Sequence, residues 1–141
     1  MARDVQRFEV SLKAFIVDGG RALFVREADS GYWELPGGRI DVGEEWEPHA
    51  TVLAREIREE LGTHLSLRVG SEAVTWTRRR PSDGAFLFII ARPSVIVTGG
   101  PLLSPEHAEM AWLGPDAWET LNFPPDSGYH RGVRELWRLV R

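Results

Sequence analysis

With 141 residues, 43% hydrophobic and 27% charged, the chain is long enough to bury a core as one folded domain, residues 1–141. A net charge of −4 counts against general nucleic-acid binding and means that an anionic ligand needs a cation or local arginines to offset it. The absence of cysteine removes disulfides and thiolate metal sites and favours a cytoplasmic setting, and no apolar run approaches a membrane span or an export signal.

In chain order, RFEVSLKAFIVD (Arg7 to Asp18) and RALFVREA read as two strands around a Gly19-Gly20 turn. DSGYW is a loop, and WELPGGRID is a short strand broken by Pro36-Gly37-Gly38. From Pro48 the apolar period becomes helical, through Ala50, Leu53, Ala54, Ile57 and Leu61, with Gly62 at the C-terminal end. LSLRVGSEAVTWTRRR and AFLFIIARPSVIV form a pair of strands around Pro-Ser-Asp-Gly, the second apolar enough to be covered on both faces. TGGPLLSPEHAE is a loop and MAWLG a short strand. PDAWETL begins a helix with Asp116 as its cap, and a last helix covers Gly132 to Arg141. The order β-β-β-α-β-β-β-α-α predicts an α/β (α+β) fold, a mixed sheet with helices packed against it. An open edge strand is a candidate for pairing two subunits as a homodimer.

The central helix carries the chemistry. Glu56, Glu59 and Glu60 stand at i, i+3 and i+4, on one face, while Leu53, Ile57 and Leu61 face the sheet. Three carboxylates in one turn repel each other unless cations lie between them, and hard divalent ions such as Mg²⁺ favour carboxylate oxygens. Arg55 and Arg58 can pair with individual carboxylates. The competing interpretation, a solvated Glu/Arg helix surface, is common. Gly37-Gly38, which let backbone approach a ligand closely, and the acid Glu44 precede this helix and favour a site.

This stretch resembles the Nudix box, G-x(5)-E-x(7)-R-E-U-x-E-E-x-G-U, where U is a bulky aliphatic. Gly38 and Glu44 match its opening, and Arg55-Glu56-Ile57-Arg58-Glu59-Glu60-Leu61-Gly62 its closing run. Two departures stand out. Ten residues separate Glu44 from Arg55 where the pattern has seven, the extra ones falling around Glu45 to Pro48, and Thr63 replaces the final aliphatic.

The resemblance implies an α/β/α sandwich and hydrolysis of a pyrophosphate bond with Mg²⁺ or Mn²⁺, on a nucleoside diphosphate linked to another moiety. Nucleoside triphosphates and nucleotide sugars such as ADP-ribose both remain open, and the partner is a small-molecule nucleotide. It also implies Glu56 and Glu60 as metal ligands, Glu59 as ligand or general base, and the Gly38 carbonyl as a further ligand. Arg55 takes the place of the family's orienting arginine. Glu106, six residues before Trp112, is the second candidate base, with an exposed loop acid as the alternative. On the substrate side, Arg26 and Arg39 are candidate phosphate contacts and Trp33 a candidate stacking surface, against salt bridges and core packing respectively. Arg78-Arg79-Arg80, the basic run, reads first as a solvated turn, and the four histidines lack metal-ligand spacing. A non-catalytic nucleotide sensor is the alternative function, disfavoured because every carboxylate of the motif is kept. The isomerase branch that shares the fold normally uses cysteine, which is absent. Trp46, in the extra segment, is expected to pack on the body of the protein.

Overall fold

A computed structural model describes residues 2–140. Its strands are β1 (Glu9–Asp18), β2 (Arg21–Glu27), β3 (Trp33–Glu34), β4 (Gly37–Arg39), β5 (Ser66–Val69), β6 (Val74–Arg79), β7 (Phe86–Thr98) and β8 (His107–Leu113). The helices are α1 (His49–Leu61) and α2 (Tyr129–Leu139), with a single 3₁₀ turn at Trp118–Thr120. No helix among the described residues is long and apolar enough to cross a membrane.

Strand β1 organises the molecule. One edge pairs in parallel with β7, from Glu9↔Leu87 to Ile16↔Ser94. Its other edge is shared: β4 pairs with Ser11 to Lys13, and β2 with Val17 and Asp18. The sheet therefore forks along β1, and the two branches diverge around Pro36, whose carbonyl accepts from Ala14 N at 2.9 Å. Side-chain alternation along β1 divides the core in two. Leu12, Ala14 and Ile16 join Leu53, Ile57 and Leu61 of α1 on one face. Phe15 joins Tyr129, Val133, Leu136 and Trp137 of α2 on the other. The result is the expected α/β/α sandwich with a mixed sheet.

Several elements differ from expectation for identifiable reasons. LSLRVGSEAVTWTRRR is two strands, because Pro93 of β7 has no N–H for the ladder. Residues 70–73 bulge opposite Arg92 and Pro93, closed by Gly70 N on Pro93 O at 2.7 Å and Arg92 Nη1 on Ser71 O at 2.9 Å. PDAWETL makes only the 3₁₀ turn, without a side-chain cap from Asp116, and Pro124-Pro125 follow too soon for a longer helix. Helix α2 starts at Tyr129, earlier than Gly132. Inside that helix Gly132 lies flat on the Trp76 ring, where any Cβ would collide, so it is there for packing rather than as a breaker. The expected end of α2 at Arg141 lies outside the described residues. Strand β8 begins at His107, inside the segment expected to be loop.

The expected packing of Trp46 is not met: the residue is 91% exposed. Two successive turns hold it out, Glu44 N on Asp41 O and Glu47 N on Glu44 O, both at 3.0 Å. Gly43 N on Glu45 Oε1 at 2.7 Å tightens the first. The extra residues form an ordered projection rather than a cover.

Candidate active site

Arg55 is the hub of the acidic helix. Its Nε and Nη2 grip the two oxygens of Glu44 at 2.7 and 2.6 Å, a fork-on-carboxylate geometry. Nη2 also donates to Glu56 Oε1 at 2.8 Å, and Nη1 to both oxygens of Glu59 at 3.0 and 3.1 Å. The Glu44–Arg55 pair thus forms despite the three additional residues between them. It holds the Glu44 carboxyl below the usual range and raises the guanidinium above its own.

The three helix carboxylates splay. Glu59 turns outward into Arg55, its side chain 59% exposed. Glu56 lies against Gly38 so closely that a Cβ there would collide with its carboxylate. Glu60, 6% exposed, points inward and accepts from Gly37 N at 2.9 Å. Gly37 itself runs beside β1, where a Cβ would collide with Leu12 O. The two glycines are therefore required by close approach on both sides. Burial pushes the Glu60 carboxyl up to about 7, against Lys13 and the Gly37 N–H, and burial likewise raises Glu56 against Arg55.

Hard divalent ions take carboxylate and carbonyl oxygens. Among the described residues no three acidic or histidine side chains already converge as a cage. Glu56 and Glu60 are nevertheless partly desolvated carboxylates one helical turn apart at the Gly37-Gly38 backbone, so a cation there relieves their burial. The donor set fits a hard divalent ion.

A cleft of about 1070 Å³ opens where the sheet forks. Gly37, Gly38, Arg39 and Glu60 form one side, Arg78, Arg80 and Ser82 a second, and Glu27, Asp29, Tyr32 and Glu106 line it elsewhere. On its floor is a charged group that sequence reasoning missed. Lys13 of β1 lies 3.6 Å from Glu34 Oε1, Arg78 Nη1 donates to Glu34 Oε2 at 3.3 Å, and His107 Nε2 is 3.8 Å from Oε1. Burial alone would raise the Glu34 carboxyl, but Lys13, His107 and Arg78 overcome it and hold the group well below the usual carboxylate range. Burial opposes charge on Lys13, and Glu34, Tyr129 and Glu60 overcome that, so Lys13 stays protonated. The His107 Nδ1 is buried without a hydrogen-bond partner among the described residues.

The expected site residues thus separate. Gly38, Arg39, Glu60 and Glu106 line the cleft, while Arg55, Glu56 and Glu59 form the charged network beside it. Arg26 is paired with Glu109 at 2.8 Å, and Trp33 packs partly buried against the α2-side core. Arg78 and Arg80 face the cleft, whereas Arg79, on the opposite side of β6, sits 5.4 Å from the Phe86 ring centre. Two signals were available: the period-two alternation of that basic run, and a lone lysine inside the apolar VSLKAFIV.

Comparison with known proteins agrees with this geometry. A MutT-like protein of Streptomyces ambofaciens is 35% identical over 109 residues, covering 76% of this chain and 64% of that protein. A putative 8-oxo-dGTP diphosphatase of Bacillus subtilis (strain 168) is 33% identical over 109 residues, 72% of this chain and 65% of that protein. The matches thus span just under two thirds of the length of these relatives. The solution structure of the E. coli ORF135 protein superposes with a TM-score of 0.72 at 25% identity, covering 96% of this chain and 92% of that one. The NUDIX domain family model matches residues 7–133, and the chain belongs to that family.

Proposed function

We propose that this chain is a divalent-metal-dependent pyrophosphohydrolase, a single catalytic domain acting on nucleoside triphosphates in preference to nucleotide sugars. The observation that carries the metal assignment is the meeting of Glu56 and Glu60 with the Gly37-Gly38 backbone at the edge of the cleft. The family and the name of the Bacillus subtilis relative support the reaction and the triphosphate. Glu56 and Glu60, with the Gly38 carbonyl, would hold Mg²⁺ or Mn²⁺, while Glu59, turned outward into Arg55, is set apart from them. When bound, the ion supplies charge neutralisation of the phosphates and of the leaving oxygen.

The chain's own groups do the rest. Arg55 fixes Glu44, Glu56 and Glu59 in place through its forked hydrogen bonds, so the ligand carboxylates are preorganised. Arg39 places a cation beside Gly38, where phosphate oxygens would lie. Glu106 lines the cleft while Glu59 is engaged by Arg55, so Glu106 is the better-placed base to take a proton from water. This reverses the order in which the sequence ranks the two. Trp33 serves packing, and Arg26 serves its Glu109 pair, rather than substrate.

The test is a panel of nucleoside triphosphates and nucleotide sugars incubated with Mg²⁺ or Mn²⁺, with products separated by chromatography. Wild type should release a nucleoside monophosphate and pyrophosphate from triphosphates. Glu60→Gln should lose both turnover and divalent-ion affinity. Equal activity of Glu60→Gln and wild type at limiting Mg²⁺ would remove the metal assignment, and nucleotide binding without turnover would favour a sensor.

A further inference from the structure

Glu9, at the start of β1, lies between two arginines of the cleft. Arg39 Nη1 donates to Glu9 Oε1 at 2.6 Å. Arg80 Nη1 donates to Oε1 at 3.2 Å and Nη2 to Oε2 at 2.9 Å. Arg39 and Arg80 both line the cleft. Two guanidiniums from separate walls, β4 and the β6–β7 turn, are thus aimed at one carboxylate. That is the geometry in which they would receive the oxygens of a phosphate.

The two counter-ions of Arg80 are not equivalent. Asp83 grips Arg80 Nε and Nη2 at 2.9 and 2.7 Å and also accepts from Ala85 N at 3.0 Å, so the turn itself anchors it. The Arg80 backbone is pinned as well, by Arg80 N on Ala85 O and Gly84 N on Arg80 O, both at 2.8 Å. Among the described residues Glu9 has no comparable anchor: its carboxylate's hydrogen bonds come from the two guanidiniums, and its side chain is 40% exposed. Arg80 therefore has one fixed partner, which orients it, and one that can leave. An exposed ion pair of this kind contributes little stability, so its exchange for a more highly charged anion is favourable.

We propose that Glu9 is a displaceable counter-ion that occupies, in the ligand-free protein, the place of a substrate phosphate, and that Arg80, with Arg39, is a phosphate-binding residue that Glu9 screens. The proposal rests on the reading of the cleft as the site of a phosphate-bearing substrate. Glu9 then sets affinity by competition. It weakens binding of singly charged ligands that cannot displace it and admits polyphosphates that can.

Calorimetry with inorganic tripolyphosphate in the presence of EDTA tests this apart from hydrolysis, and steady-state kinetics with a triphosphate substrate tests it within the reaction. Glu9→Gln should bind tripolyphosphate about two- to fivefold more tightly than wild type, the range of an exposed ion pair, and lower KM rather than change kcat. Arg80→Ala should weaken binding roughly tenfold or more, as for loss of a charge-assisted contact. Arg39→Ala, which should also weaken tripolyphosphate binding, gives a second reading, because its half-exposed side chain comes from β4 and takes no part in the Arg80–Asp83 turn. Unchanged or weaker binding in Glu9→Gln, a Glu9→Gln effect confined to kcat, or an Arg80→Ala protein that binds like wild type would each overturn the proposal. If no nucleotide is hydrolysed and the tripolyphosphate series still holds, the reaction is misassigned and the phosphate site stands.

Discussion

Two charged networks meet at the cleft, and they are built in opposite ways. The Arg55 network comes from one contiguous stretch, Asp41 to Glu59, and is half-buried, with Arg55, Glu44 and Glu56 largely covered and Asp41 and Glu59 open to water. The Lys13–Glu34–Arg78–His107 network draws one residue each from β1, β3, β6 and β8 and is buried. In the first, solvent reaches and screens Asp41 and Glu59, while the fork of Arg55 holds the more covered Glu44 and Glu56 in fixed orientations. In the second, each charge depends on its partners, since an uncompensated buried ion is costly. The difference is between a network laid along one loop and helix and one that ties four strands together under the cleft.

The sharpest way to break this contrast is Glu34→Gln. It leaves Lys13 buried beside Arg78 without its anion, and should destabilise the protein by about 3–5 kcal/mol, as breaking buried ion pairs does. Urea unfolding measures it, and Lys13→Met in the same chain should restore part of the loss. Acid probes the same group. The folded pKa of Glu34 lies below the ordinary 4.5, so its contribution is present above about pH 4.5 and is lost as the pH falls toward the folded value. A Glu34→Gln protein as stable as wild type at pH 7 would show that the buried network carries no fold stability.

In the Arg55 network, Arg55→Lys keeps the charge and loses the fork. Metal affinity and turnover should fall about 10–100-fold, as when a group orienting metal ligands is removed, with little change in melting temperature. Titration of Mg²⁺ beside a thermal melt decides it. A large fall in melting temperature with normal activity would reverse the roles assigned to the two networks.

The same contrast explains what the sequence made legible. The acidic helix and its apolar face are short-range, so spacing along the chain reveals them. The element order followed from periodicity in the same way, and the α/β/α layering from the resemblance. Lys13, Glu34 and His107 are single residues in unremarkable strands, and only the register of β1 against β4 and of β2 against β3 and β8 brings them together. Arg78 and Arg80 were visible as a run, but which of the three arginines face the cleft depends on where β6 pairs with β7. The short 3₁₀ turn and the early start of α2 were hidden for another reason. Pro124-Pro125 act on the preceding segment, and Gly132 answers to a tryptophan distant in sequence.

The smallest effect is expected at the tip of the Asp41–Glu47 loop. Trp46 is exposed and its loop is held by backbone turns and the Glu44–Arg55 fork, so Trp46→Ala should change stability by within about 0.5 kcal/mol. A rise in KM of about tenfold without loss of stability would give the loop a part in closing over substrate, worth about 1.4 kcal/mol of binding. A drop in melting temperature of several degrees would mean that Trp46 packs in solution.

The parallel pairing of β1 with β7 also has a consequence for how the protein is made. Ile16 waits for Ser94, so the strand on which both cores depend cannot complete its ladder until most of the chain has left the ribosome. Local pieces, the β1–β2 hairpin and α1, form early, but they present unpaired edge and apolar surface until β7 arrives. Synthesis arrested between α1 and β7 therefore yields a sticky, protease-sensitive intermediate.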